Sequence, residues 1–284
     1  MKKIYSVISF LCLAFIWAGC GSGGGGGGGG ATTASTPPAP APAPTLTESA
    51  SGIWTGTIES TVANSACDPN TQQCVMVGIV DENNVLRFFN ITTGDQYSGT
   101  VYGSGNTISS TITFFPPGSG SAIAAMQITG TVDTSTNPKT MIIQYSGAGD
   151  TGSMNLSYEP TLYERPSALA LVSTPPIWSM QNAALNVTDT LSIDNGGVID
   201  INNSTLSFDM NNLLCPVTGS IQVIDSSFNA YFITIQINSQ GTCNPALDGN
   251  FSGLAFLSDV NALNDVINIY ISRSDAAIMA QFSR

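Results

Sequence analysis

From residue 51 onward, segments of four to nine residues rich in Ile, Val, Thr, Phe and Tyr recur between clusters of Gly, Asn, Asp, Ser and Pro. That punctuation suits short strands joined by turns and leaves no room for long helices. Strands are expected at 53–61, 75–80, 85–91, 107–114, 124–132 and 140–146, then at 205–210, 217–225, 230–238, 251–257, 266–273 and 276–282. In Tyr231 to Ile237 the odd positions are apolar, while Thr234 and Gln236 face the other way, the pattern of a half-buried strand. No stretch keeps a helical period for more than two turns, and only 167–172 and 258–265 suggest short helices. The expected fold is all-β.

The β region divides into two related units. Ser51-Gly52-Ile53-Trp54 opens the first and Pro175-Pro176-Ile177-Trp178 the second. Each is followed by a strand, an Asp/Asn turn and a strand: Val80-Asp81-Glu82-Asn83-Asn84-Val85, then Ile193-Asp194-Asn195-Gly196-Gly197-Val198. The two pairs are offset by 124 and 113 residues, as an internal duplication with altered loops would give. Prolines between Pro160 and Pro176 interrupt ladder pairing there, which sets β domains at 51–165 and 166–284. Each is large enough to fold alone, as an antiparallel meander barrel or a sandwich. Trp54-Thr55-Gly56 is similar to a Trp-x-Gly near the first strand of lipocalin-like barrels, in which the tryptophan closes one end. An aromatic core plug is the plainer expectation for Trp54.

The front of the chain gives an address. Lys2-Lys3, an apolar run from Ile4 to Trp17 and then Trp17-Ala18-Gly19-Cys20 make a secretory signal over residues 1–19. The run is shorter than the roughly 20 residues of a membrane span. Cys20 directly after Ala-Gly resembles the lipobox of bacterial lipoproteins, with Trp17 where leucine is usual. The resemblance implies that Cys20 carries acyl chains, becomes the new N-terminus and anchors the protein, with the outer membrane favoured because Gly21 follows. Either face of that membrane is open. A cut after Ser22 by the soluble-protein peptidase is the competing outcome. Residues 20–50 then form a tether: the glycines from Gly23 to Gly30 are flexible, and the proline-rich run from Thr36 to Pro44 is stiffer. Gly-rich tethers of this kind resemble those of surface-exposed lipoproteins.

Four cysteines remain after Cys12 and Cys20. An even number in an exported chain points to disulfides, with Cys67–Cys74 and Cys215–Cys243 expected among three possible pairings. Without histidine or a CxxC spacing, no zinc set can be assembled from the sequence. The missing histidine also removes Ser-His-Asp and Cys-His nucleophiles. Of the five glutamates after Cys20, Glu59 alone sits on a strand where it could enter a cleft, and a solvated strand face accounts for it. No catalytic or metal residue and no cofactor are therefore expected. The turns at Asp81, Asp194 and Asp248 offer oxygen ligands but lack the spacing of a calcium loop.

Beyond Cys20 the chain has five basic and 19 acidic residues, a net of −14, which argues against nucleic acid as a partner. The expected role is a non-enzymatic, lipid-anchored envelope protein that presents its β domains for binding or adhesion to a protein or glycan. A structural or assembly accessory of an outer-membrane complex is the alternative. A lipocalin-like carrier of a small apolar ligand is a third, and it requires a sizeable pocket inside one unit.

Overall fold

The computed structural model describes residues 49–62, 67–68, 70–116, 123–166, 178–182, 187–193, 198–202, 217–238, 245–259 and 262–283, with backbone alone between 178 and 202. Cys20 and its tether, the segments 167–172 and 205–210, the Asp194 turn and both Cys215 and Cys243 lie outside these residues.

The first unit contains β1 (Gly52–Ser60), β2 (Gln73–Val80), β3 (Val85–Asn90), β4 (Gln96–Thr100), β5 (Tyr102–Ser104), β6 (Thr107–Phe115), β7 (Ala124–Asp133), β8 (Thr140–Gly147) and β9 (Asp150–Tyr158). From β1 to β4 and from β6 to β9 each strand pairs antiparallel with the next, and β1 also pairs with β9. Both β4 and β5 pair with β6 in one register, since Ser98 faces Thr113 and Tyr102 faces Ser109. They act as one bent strand, and the sheet closes into an eight-stranded meander barrel. The second unit is a closed barrel of β10 (Trp178–Asn182), β11 (Val187–Ile193), β12 (Val198–Asn202), β13 (Val217–Val223), β14 (Tyr231–Ile237), β15 (Gly249–Ser258), β16 (Val266–Arg273) and β17 (Ala276–Ser283).

The two barrels share their stagger. Around the first, the pairing runs from Gly52 through Val80, Leu86, Gly99, Ile112, Met126, Gly147 and Asp150, and returns to β1 at position 62, ten residues on. Around the second it runs from Trp178 through Leu191, Ile201, Val217, Ile237 and Gly249. Extending the last three registers takes it through 275 and 274 to 188, again ten residues on. Eight strands enclose an interior just wide enough for packed side chains or one small ligand. The two tryptophan-led openings and the two Asp turns of the sequence occupy the same topological positions: β1 and β10, then the β2–β3 and β11–β12 connections.

Side chains alternate in and out as the period of two requires. On β6 to β9 the inward set includes Ile108, Ile112, Met126, Ile128, Met141, Ile143, Met154 and Leu156, while Gln127, Thr129, Gln144 and Asn155 face out and are exposed. A membrane-spanning barrel carries an apolar outward band instead. Inward glycines leave room for bulky partners: a Cβ on Gly78 would lie 1.9 Å from the Phe88 ring. The second interior is built from Ile233, Ile235, Phe251, Leu257, Ile267, Ile269 and Phe282 among others.

Alternation fails on the outer faces of β2, β3, β15 and β16 because those faces meet. Ile79, Phe89, Leu254, Phe256 and Tyr270 belong to one buried cluster. Phe89 lies 6.2 Å from the Tyr270 ring, and Ser98 and Ser272 hydroxyls are 3.0 Å apart. The helical turn α1 (Pro160–Tyr163) follows β9, and Tyr163 stacks on Phe228 at 4.9 Å. Arg165 reaches Asp259 at 3.0 Å and Asn264 at 3.1 Å.

Among the described residues of 258–265, where a short helix was expected, none is helical. The Asp259 carboxylate accepts the Asn264 N–H, the Asp265 carboxylate accepts the Ala262 N–H at 2.9 Å, and Asn264 adopts φ +55°. Asx side chains that bond nearby amides favour turns over helix, and here they shape the loop between β15 and β16.

Candidate ligand pocket at the open end of the first barrel

The two ends of the first barrel differ. At one end Trp54 is fully buried, its Nε1–H donates to the Ala50 carbonyl at 3.0 Å, and its ring packs on Tyr158 at 5.5 Å. Tyr163 adds a second layer 6.0 Å beyond Tyr158, and its hydroxyl donates to Glu82 at 2.6 Å. Trp54 is thus the plug that its sequence position suggested, in the first barrel.

The opposite end holds a cavity of about 440 Å³, within the range of small-molecule sites. Its apolar wall includes Ile58, Phe114, Met126 and the aromatic faces of Tyr97 and Tyr145. Asp95, Asp150, Asn90, Ser60 and Gln72 supply its polar groups, and among the described residues no lysine or arginine lines it. The disulfide between Cys67 and Cys74, with Cα atoms 4.8 Å apart, also lines the cavity. It fastens the β1–β2 loop beside the mouth. Inside that loop the Asp68 carboxylate accepts the Asn70 and Thr71 N–H groups at 2.8 and 3.0 Å. These bonds, the one from Thr71 first, hold its carboxyl below the usual carboxylate range.

Asp150 is held by four donors. The Ser60 and Tyr145 hydroxyls bond Oδ2 at 2.8 and 3.0 Å, while the Thr61 hydroxyl and Thr151 N–H bond Oδ1 at 3.1 and 2.7 Å. Asp95 has the Thr93 hydroxyl as its side-chain donor. Burial raises the Asp95 carboxyl above its ordinary value, and the Asp150 charge adds to the rise against the opposing Thr93 bond. Burial likewise pushes the Tyr97 and Tyr145 hydroxyls upward, with the two carboxylates contributing, so both stay neutral.

Two further polar groups in this lining have no partner among the described residues. Asn90 is 3% exposed; its Oδ1 accepts the Thr92 and Thr93 N–H groups at 3.0 and 3.2 Å, which leaves Nδ2 as the other end of the amide. Tyr97 is 4% exposed, and its ring packs on Phe114 at 5.5 Å. Among the described residues neither Asn90 Nδ2 nor the Tyr97 hydroxyl makes a hydrogen bond. Both residues line the cavity.

Several residues singled out in the sequence lie elsewhere. Glu59 is exposed on the outer face of β1. Asp81 is spent on its own turn, its Oδ1 accepting the Asn83 and Val85 N–H groups at 2.9 and 2.7 Å. The Asp248 carbonyl accepts from Arg273. Among the described residues no group of three or more His, Cys, Asp or Glu is placed to hold a metal ion. The cavity carboxylates were not singled out because Thr93-Gly94-Asp95 and Ala148-Gly149-Asp150 read as turn residues. The available signal was phase: Asp95 is two before inward Tyr97, and Asp150 is four before inward Met154.

Compared with models of known families, with curated proteins and with solved structures, the chain matches none.

Proposed function

We propose that this chain is a lipid-anchored envelope protein that carries two β-barrels on a Gly- and Pro-rich tether and binds a small molecule in the open end of the first. The cavity of about 440 Å³, plugged at the far end by Trp54 and Tyr163, carries the proposal. It gives weight to the carrier alternative over adhesion, because a purely structural barrel gains stability from filling such space. The anchor rests on Cys20, and the run from Gly21 to Pro44 gives the barrels reach from the membrane. A protein or glycan partner at the same end is the second reading, favoured by the exposed side chains Val62, Val75 and Ile91 beside the mouth.

Two measurements test this. Cys20→Ala should move the protein from the membrane to the soluble fraction and remove the mass of the acyl chains; an unchanged distribution refutes the anchor. Native mass spectrometry of the full-length protein extracted from its own membrane should show a bound small molecule, lost in Met126→Trp, which fills the cavity. Identical ligand-free spectra for both proteins, with no stabilisation of either by a metabolite library, would overturn the binding role.

A further inference from the structure

The cavity is chemically one-sided. Among the described residues it collects two carboxylates, three aromatic rings, and the Asn90 amide nitrogen and Tyr97 hydroxyl, which make no hydrogen bond there, and no basic side chain. Asp150 is fixed by four donors, which occupy its lone-pair sites, so it contributes a charge of set position. Asp95 shares the space with one side-chain donor of its own. Two like charges in a half-buried site repel each other, and a cation between them removes that repulsion. The Tyr97, Phe114 and Tyr145 rings supply π-faces of the kind that receive ammonium groups. A bare metal ion fits poorly, since a hard cation asks for six to eight oxygen ligands in a close cage and this space is far larger than one ion. Asn90 Nδ2 and the Tyr97 hydroxyl add a requirement that a simple cation does not meet, because a buried donor calls for an acceptor.

We infer that the cavity binds a small organic ammonium compound bearing a hydroxyl or carbonyl oxygen, its cation against Asp95 and Asp150 and its oxygen available to Asn90 and Tyr97. This rests on the proposed binding role and specifies its ligand class. Amino sugars, amino alcohols and phenolic amines have this chemistry. Their neutral counterparts lack the cation, and simple alkyl amines lack the acceptor.

The test is titration calorimetry on the full-length protein in detergent micelles, with glucosamine, tyramine and choline as probes. N-acetylglucosamine, 2-(4-hydroxyphenyl)ethanol and 3,3-dimethyl-1-butanol serve as their neutral counterparts in that order, and butylamine as the amine without an oxygen. At least one of the three probes should bind at 1:1 and at least tenfold more tightly than its neutral counterpart and butylamine. Asp95→Asn should weaken that binding tenfold or more, and Tyr97→Phe, which removes a single hydroxyl, should weaken it severalfold. Asp133→Asn, which removes an exposed carboxylate on the outer face of β7, should leave it unchanged. Binding of a neutral counterpart as tightly as the amine, or amine binding untouched by Asp95→Asn, overturns the ammonium assignment and leaves the binding role standing. Equal weakening by Asp133→Asn and Asp95→Asn reveals general attraction to an acidic surface and also overturns it. No heat from any probe, together with ligand-free native spectra, overturns both.

Discussion

Asn229 gives the sharpest test of how the two barrels are joined. It is 1% exposed and lies just before β14, where its side chain extends the β14–β15 pairing past the last backbone pair. Its Oδ1 accepts the Leu257 N–H at 3.0 Å, and its Nδ2 donates to the Leu257 and Leu162 carbonyls at 2.7 and 2.9 Å. The backbone N–H of Asn229 donates to the Tyr163 carbonyl at 3.0 Å, so one residue clasps α1 to the second barrel. Asn229→Ala removes the three side-chain bonds and leaves the buried Leu257 amide and carbonyl without those partners. Leu162 loses less, because its carbonyl also accepts from Arg165 Nε at 3.1 Å. At about 1 kcal/mol per bond, plus the cost of the stranded Leu257 groups, the loss should be about 3–4 kcal/mol. For a chain of this size that lowers the melting temperature by about 10 °C. Asn229→Asp should cost at least as much, since it turns a carboxylate toward two carbonyls. Guanidinium unfolding followed by tryptophan emission reads both barrels, because Trp54 and Trp178 open the first and second. A loss below about 1 kcal/mol for Asn229→Ala would refute the clasp.

Two other outcomes follow from the pocket. Burial raises the native Asp95 carboxyl above its unfolded value, so the folded protein holds that proton more tightly. The associated stability is fully present below the unfolded carboxylate range and is lost as pH rises through the native value. Asp95→Asn should therefore stabilise the protein more at pH 7 than at pH 3.5 in urea titrations, and an equal gain at both would contradict the assignment. Replacing both Cys67 and Cys74 by Ser opens a loop with a sequence separation of 7. By the chain-entropy model this should cost about 2–3 kcal/mol in denaturant unfolding, and no change in midpoint would count against the staple.

Much of the fold was legible from side-chain period. β16 matches its expected limits, and β6, β7, β8 and β14 fall within a residue or so of theirs. β4, β5 and β9 were harder to read, because Gln96–Thr100, Tyr102–Ser104 and Asp150–Tyr158 are rich in Ser, Thr and Gly and carry little apolar contrast. The Cys67–Cys74 bridge was legible because the turn residues between the two cysteines bring their ends together. The pocket was not. Asp95 and Asp150 look like ordinary turn residues until closure of the barrel sets them into one cavity with Asn90, Tyr97 and Tyr145.

Local chemistry alone determined the alternating strands, the turns that separate them, the acidic balance and the small disulfide loop, because each depends on residues near one another in the chain. Tertiary structure decided the rest. A stagger of ten residues around eight strands sets which side chains meet inside, and that number is a property of the whole closed circuit. Burial of Ile79, Phe89 and Tyr270 between barrels likewise requires two outer faces to meet, which no single strand encodes.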